Sequence, residues 1–154
     1  QLHIQKVSIT SVLQEVKKQI SGLCSMNNLT LCWNCEQKSQ YFNVDYDLLV
    51  RALVNILSNA VEHTPQGGTV SLVVQEENSM LSFVIVDTGK GFTKEALKHA
   101  TEQFFMDDDS RNSKSHYGIG LYIAASVAQK HGGRLILENS IETGGAKVTM
   151  QVLC

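Results

Sequence analysis

The sequence LSFVIVDTGKGF, residues 81–92, joins a strand pattern to a glycine-rich turn. Its first half is rich in β-branched and aromatic residues, which predicts a strand that ends just before Asp87. A carboxylate at the end of a strand can be held rigidly against a flat ligand that carries an amine. Gly89 and Gly91 have no Cβ, so the backbone there can come close to such a ligand. An ordinary turn would also use Asp-x-Gly-x-Gly, and the rest of the chain must decide between the two interpretations.

An amphipathic helix is predicted upstream, over residues 47–63. Six apolar residues recur at offsets of three and four and form one face: Leu49, Ala52, Leu53, Ile56, Leu57 and Ala60. Asn55, Asn59 and Glu62 follow the same spacing on another face. Amide oxygens at this spacing suit a hard cation that keeps several waters, as Mg²⁺ does, although a solvated face would hold the same residues. Pro65 ends the helix, because the residue before a proline disfavours helical backbone.

A second helix is predicted to begin at GIGL, residues 118–121, and to end at Gly132 and Gly133. Free amides at a helix N-terminus and the helix dipole favour a phosphate group. The glycine pair Gly118 and Gly120 suits that role, or else relieves crowding between the helix and a neighbouring strand.

The whole pattern predicts an α/β two-layer sandwich, because strands interleave with three or more helices. At 154 residues the chain is one domain, residues 1–154, with a single core. The predicted strands lie near 2–6, 29–35, 40–44, 69–76, 81–86, 134–138 and 146–153. The predicted helices lie near 10–26, 47–63 and 94–99, followed by the one that opens at Gly118.

Composition excludes two classes of function. The 13 basic and 15 acidic residues give a net charge of −2, so the chain has no broad cationic field for nucleic acid. No apolar stretch reaches the ~18 residues of a membrane span, and no signal peptide opens the chain. We therefore expect no direct membrane contact. The start at Gln1 and the strand pattern that runs to Cys154 suggest a piece of a longer protein.

Cys32 and Cys35 have the spacing of a zinc or redox motif, but no second such pair follows. Residues 29–35 also read as a strand, on which positions three apart point to opposite faces. That geometry is poor for a shared metal or a disulfide, and it favours reduced cysteines.

Together these segments resemble the ATP-binding catalytic domain of bacterial sensor histidine kinases, in the superfamily of gyrase, Hsp90 and MutL ATPases. The segments follow the family's order of N box, first glycine box, F box and second glycine box: NILSNA at 55–60, DTGKG at 87–91, Phe104-Phe105 and GIGL at 118–121. The resemblance runs from about Leu2 to Leu153. It implies a mixed sheet with its helices on one face.

The resemblance implies ATP and Mg²⁺ as ligands. Asp87 would accept a hydrogen bond from the exocyclic amine of adenine, with Gly89 and Gly91 passing close to the base. Asn59 is the implied Mg²⁺ ligand and Asn55 a second contact. The other residues expected at the nucleotide are His63, Phe104, Arg111, Gly118, Gly120 and Leu121. His63 stands where the family often has an aromatic residue, although it would equally suit a solvated helix end.

Residues 101–117 match the position of the family's mobile ATP lid. The run from Asp107 to Ser115 has no apolar residue to attach it to a core, which also suits a plain solvated loop. Arg111 fits the family's Ser-Arg element and would reach the phosphates with its planar fork of donors. Phe104 or Phe105 would anchor the start of the lid, although either would equally suit the core.

Three residues depart from the family's pattern. Glu62 stands where many members have a phosphate-binding Lys, and His116 replaces a glycine that often opens the second glycine box. Ala146 stands where ATPase relatives commonly have a Thr, so a water-mediated contact to adenine is expected to be missing.

Asn55 favours phosphoryl transfer over hydrolysis. Hydrolysing relatives have a Glu four residues before the metal Asn, and a neutral amide is a very poor general base. None of the five histidines is followed by the acidic residue typical of a phosphoacceptor motif: His3, His63, His99, His116 and His131.

The expected acceptor is therefore a histidine on a separate helical dimerisation domain of the parent kinase, which would then act on a response regulator. The domain is expected in the cytoplasm, with the parent protein anchored in the cell membrane. Two alternatives remain open, an anti-sigma-type serine kinase and a non-catalytic nucleotide-binding module that switches a partner.

Overall fold

The structure is a computed structural model and describes residues 1–102 and 118–153. These residues contain seven strands and four helices in the order β1 (Gln5–Ser8), α1 (Ile9–Met26), β2 (Thr30–Glu36), β3 (Tyr41–Val44), α2 (Tyr46–His63), β4 (Thr69–Glu77), β5 (Met80–Asp87), α3 (Lys94–Glu102), α4 (Gly118–Lys130), β6 (Arg134–Asn139) and β7 (Ala146–Leu153). None of the helices in these ranges is both long and apolar enough to cross a membrane.

Five strands form one mixed sheet in the order β2-β4-β5-β7-β6. β2 runs parallel to β4, and every other neighbouring pair in this sheet is antiparallel. β1 and β3 form a separate antiparallel pair. In β5 the buried residues alternate with partly exposed ones, which places Leu81, Phe83, Ile85 and Asp87 on the face that packs in the core.

The helices cover that one face of the sheet. Leu53 and Leu57 of α2 and Leu121 of α4 share one core with Phe83 and Met150 of the sheet. All six apolar residues predicted for the buried face of α2 are at most 5% exposed. The predicted two-layer α/β sandwich, with a mixed sheet and helices on one face, is confirmed.

Asp45 fixes the start of α2. Its Oδ1 accepts a hydrogen bond from Leu48 N at 3.1 Å, as an N-cap does, and its Oδ2 accepts from His3 N at 2.9 Å. Its own backbone N donates to Nε2 of His131 at 3.0 Å, so that ring nitrogen is unprotonated. The other ring nitrogen, Nδ1, then donates to Val127 O at 2.8 Å. One buried residue thus links the start of α2 to the end of α4 and to the N-terminal segment.

The end of α2 agrees with the prediction. Thr64 leaves the helical region with φ −103° and ψ 124°, immediately before Pro65. Its hydroxyl donates to Ala60 O at 2.7 Å and satisfies one of the last carbonyls of the helix.

Two predicted boundaries were wrong. The first strand is Gln5–Ser8 and not residues 2–6, because its position follows from the pairing of Val7 with Phe42 in β3. The short helix begins at Lys94 as predicted but continues to Glu102.

Cys32 and Cys35 lie in a strand, as predicted. Cys32 is opposite Ser71 and Cys35 is opposite Val74, so the two side chains lie on opposite faces of β2. Both, like Cys24, are free thiols.

Candidate functional site

Asp87 is the last residue of β5 and is 2% exposed. Its Oδ1 accepts two backbone hydrogen bonds, from Gly89 N at 2.9 Å and from Ala146 N at 3.0 Å. Within residues 1–102 and 118–153, no hydrogen bond reaches the second carboxylate oxygen, Oδ2. The backbone thus fixes the carboxylate through one oxygen and leaves the other available to a ligand.

The electrostatics of Asp87 follow from this position. Burial raises the pKa of the Asp87 carboxyl above its ordinary value of 3.8. The hydrogen bonds from Gly89 and Ala146 and the nearby His63 lower the pKa and offset part of that effect. A buried carboxylate with an unused acceptor is suited to bind an N–H group of a ligand, because the new hydrogen bond offsets the burial of its charge.

The two predicted glycines are packed against the ends of other elements. A Cβ at Gly89 would collide with the backbone carbonyl of His63, the last residue of α2. Gly91 has φ +82°, and a Cβ there would lie 2.7 Å from both Asn139 Oδ1 and Gly144 O. Both positions therefore need glycine for close approach within the protein, and Gly91 also needs it for its backbone conformation.

The two asparagines of α2 differ in how far they are buried. Asn59 is 7% exposed, whereas Asn55 is partly exposed. Within the described ranges no hydrogen bond reaches the Asn59 amide, so this nearly buried oxygen fits a ligand to a cation. Asn55 lines a groove of about 480 Å³ between α1 and α2, together with Gln19, Asp47 and Arg51.

The remaining predicted residues are placed as follows. His63 lies beside Asp87 and Gly89 at the end of α2. α4 begins at Gly118, as predicted, with Gly120 in its first turn. Leu121 is fully buried and its side chain belongs to the core. Phe104 and Arg111 lie outside the described residues.

Three residues of the turn between β6 and β7, which residue spacing did not identify, lie against Asp87 and Gly91: Thr143, Gly144 and Gly145. The side chain of Asn139 binds the end of the glycine turn through two hydrogen bonds. Its Oδ1 accepts from Phe92 N at 2.7 Å, and its Nδ2 donates to Phe92 O at 3.0 Å. Thr143 Oγ1 donates to the backbone carbonyl of Asp87 at 2.8 Å. The Gly144-Gly145 pair was the available signal, since a Cβ at Gly145 would lie 2.5 Å from Asp87 Oδ1.

Ala146 contributes through its backbone. Its N–H binds Asp87 Oδ1, and any residue except proline would supply that donor. The predicted departure at this position therefore concerns only a side-chain hydroxyl.

Comparison with known proteins points to one family. The model of histidine kinase-, DNA gyrase B- and HSP90-like ATPases matches residues 44–153. The sensor histidine kinase SpaK of Bacillus subtilis is 41% identical over 151 residues, which are 98% of this chain and 33% of SpaK. The nisin biosynthesis sensor protein NisK of Lactococcus lactis is 38% identical over 133 residues, which are 76% of this chain and 29% of NisK. The chain thus spans about a third of the length of these relatives.

Solved structures share the fold. The catalytic domain of histidine kinase ThkA superposes with a TM-score of 0.82 at 18% identity, and the match covers 99% of this chain and 97% of the ThkA chain. The mycobacterial sensor histidine kinase MprB gives a TM-score of 0.76 at 23% identity, and the match covers 98% of this chain and 97% of the MprB chain.

Proposed function

This chain belongs to the family of histidine kinase-, DNA gyrase B- and HSP90-like ATPases, and from that premise we propose that it binds Mg²⁺-ATP and donates the γ-phosphoryl group to a histidine on another domain of its parent kinase. Asp87 carries the proposal. A buried carboxylate with one oxygen fixed by two backbone amides and one oxygen open fits the exocyclic amine of adenine. Gly89 and Gly91 let the backbone after Asp87 take its close-packed path beside the base, where a Cβ would collide with His63, Asn139 or Gly144.

The metal would be held by α2. Asn59 offers an almost buried amide oxygen, and Asn55, one helical turn earlier, is the second candidate ligand. When bound, Mg²⁺ neutralises the charge that develops on the phosphate oxygens during transfer. The residues of this chain then have to orient the nucleotide and exclude water from it.

The phosphates would lie at the start of α4. The helix begins at Gly118, and the N–H groups and dipole of a helix N-terminus favour an anion. Gly118 and Gly120 allow close approach at that end. Arg111 would add a cationic contact, His63 would lie near the base, and Phe104 would anchor the lid.

Transfer to a protein side chain is favoured over hydrolysis by Asn55. An amide cannot take a proton from water, so this position supplies no general base. The relatives support transfer to a protein, since SpaK is named as a sensor histidine kinase and NisK as a sensor protein. The acceptor would be a helical dimerisation domain of the parent protein, and the final recipient a response regulator. ThkA has been solved in complex with the response regulator protein TrrA, and full-length ShkA in complex with AMPPNP. We place the domain in the cytoplasm, with the parent anchored in the membrane.

Mixing this chain with the purified dimerisation domain and γ-labelled ATP tests the proposal. We expect label on the dimerisation domain that is lost in acid and kept in alkali, as for phosphohistidine. The Asn59→Ala variant should abolish labelling, and the exposed Glu142→Ala variant should preserve it. Acid-stable label would instead indicate a serine kinase, and binding of ATP without any label would indicate a nucleotide-dependent switch.

A further inference from the structure

Thr143 bridges the β6–β7 turn and Asp87 with a single hydroxyl. Its Oγ1 donates to Asp87 O at 2.8 Å and accepts a hydrogen bond from Gly145 N at 3.0 Å. A hydroxyl can donate and accept at once, so serine could replace threonine here and valine could not.

The bridge is adjacent to the bond that fixes the carboxylate. Gly145, which Thr143 holds, precedes Ala146, and Ala146 N donates to Asp87 Oδ1 at 3.0 Å. A Cβ at Gly145 would collide with the Asp87 carbonyl, so the turn and the aspartate are already in close contact. A shift of the turn would therefore move the Ala146 N–H away from Oδ1.

We propose that Thr143 is a positioning residue for adenine binding, which holds the β6–β7 turn so that Ala146 fixes Oδ1 of Asp87 and directs Oδ2 to the base. The inference rests on the proposed function, because it assumes that Asp87 receives the adenine amine. Thr143 itself does not touch the nucleotide in this proposal. Ala146 has no hydroxyl, so the turn acts on Asp87 through the Thr143 hydroxyl and through backbone amides.

Two measurements on the 154-residue chain test this role, each with Thr143→Val, Thr143→Ser and Glu142→Ala. Glu142 is the matched control, since it is the neighbouring residue in the same turn, its side chain is exposed, and it makes no hydrogen bond among the described residues. The first measurement is the titration of the Asp87 side-chain carbon by NMR without nucleotide. The second is the dissociation constant for adenosine in EDTA.

We expect Thr143→Val to raise the pKa of Asp87, because the hydrogen bond from Ala146 that lowers this pKa is weakened. Adenosine binding should weaken roughly three- to tenfold, the range for losing one net hydrogen bond. Thr143→Ser and Glu142→Ala should match the wild type in both measurements. Thr143→Ala serves the same comparison if the added methyl group of valine unfolds the chain.

A folded Thr143→Val or Thr143→Ala variant with wild-type titration and wild-type affinity would overturn the proposal. So would a Thr143→Ser variant as impaired as Thr143→Val, because the hydroxyl would then be irrelevant. If the wild type does not bind adenosine, the proposed function fails. The titration of Asp87 would then still decide whether Thr143 positions the carboxylate.

Discussion

Asp87 and Asp45 are both buried, yet their pKa values move in opposite directions. Burial raises the pKa of Asp87, and two backbone hydrogen bonds on one oxygen offset only part of this. Burial also acts to raise the pKa of Asp45, but the backbone hydrogen bonds from His3 and Leu48 outweigh it, and the pKa is lowered. Of these two aspartates, Asp87 is the one with a carboxylate oxygen that accepts no hydrogen bond from the described residues, as expected of a residue that binds a ligand.

The first prediction concerns Asp87 and pH. Since the pKa of Asp87 is raised on folding, its ionised form costs stability at pH 7. That cost decreases as the pH falls through the pKa of Asp87 in the folded state. It is gone below the ordinary value of 3.8, where Asp87 is protonated in both the folded and the unfolded state. Asp87→Asn should therefore melt at or above the wild-type temperature at pH 7, and the difference should shrink toward pH 3. Calorimetric scans across this range decide it, and a lower melting temperature for Asp87→Asn at pH 7 would contradict it.

At the scale of elements, the N-cap of α2 gives a prediction of opposite sign. The pKa of Asp45 is lowered, so its stabilisation is present above the ordinary value of 3.8 and is lost as the pH falls through the folded pKa. Asp45→Ala should cost about 1–2 kcal/mol of unfolding free energy at pH 7, the range for a lost N-cap. Urea unfolding at pH 7 and pH 3 measures it, and the cost should be smaller at pH 3.

Asp47→Ala is the control, because Asp47 is an exposed residue in the first turn of the same helix. It should change the free energy of unfolding by no more than about 0.5 kcal/mol. An equal loss for both variants would show that charge near the helix start, and not the cap, is what matters.

Glycines supply a second prediction at this scale. Gly145→Ala forces a Cβ against the Asp87 carbonyl and should cost about 1–3 kcal/mol, as overpacking does. Gly22 lies in α1 with nothing within 4 Å of a Cβ, so Gly22→Ala should stabilise by about 0.5–1 kcal/mol. The free energies of unfolding of the two variants, measured by chemical denaturation, test both predictions. Equal effects at both positions would contradict the close contact at Gly145.

Local periodicity was enough to predict most elements of the whole molecule. The six apolar residues of α2 form the buried face that their spacing predicted, and the β-branched and aromatic run at 81–86 lies in strand β5. The first strand was misplaced because its bounds depend on pairing with β3, more than 30 residues away. The strand order and the parallel pairing of β2 with β4 also arise from contacts distant in sequence.

The site was predictable only in part for the same reason. Asp87, Gly89 and Gly91 form one local motif and could be found by spacing. Thr143 is separated from Asp87 by 56 residues, and its role depends on the antiparallel pairing of β5 with β7. No spacing rule connects the two.

For the whole chain, we predict ATP binding without self-labelling or appreciable hydrolysis. None of its histidines has the acceptor pattern, and Asn55 supplies no general base. Incubation of the chain alone with γ-labelled ATP is the measurement. Stable phosphate on the chain, or repeated turnover that Asn55→Ala abolishes, would contradict the prediction.

The most direct measurement is calorimetric titration of adenosine and ATP into folded wild type, Asp87→Asn and Asn59→Ala, with Mg²⁺ and then with EDTA. Thermal scans first confirm that each variant is folded. Asp87→Asn should lose ~2–3 kcal/mol, roughly a hundredfold in affinity, for both ligands and in both buffers, because the base lies away from the metal. Asn59→Ala should lose affinity for ATP mainly with Mg²⁺ and bind adenosine almost as the wild type does. If Asp87→Asn binds adenosine as tightly as the wild type, Asp87 does not recognise adenine and the proposed function is wrong.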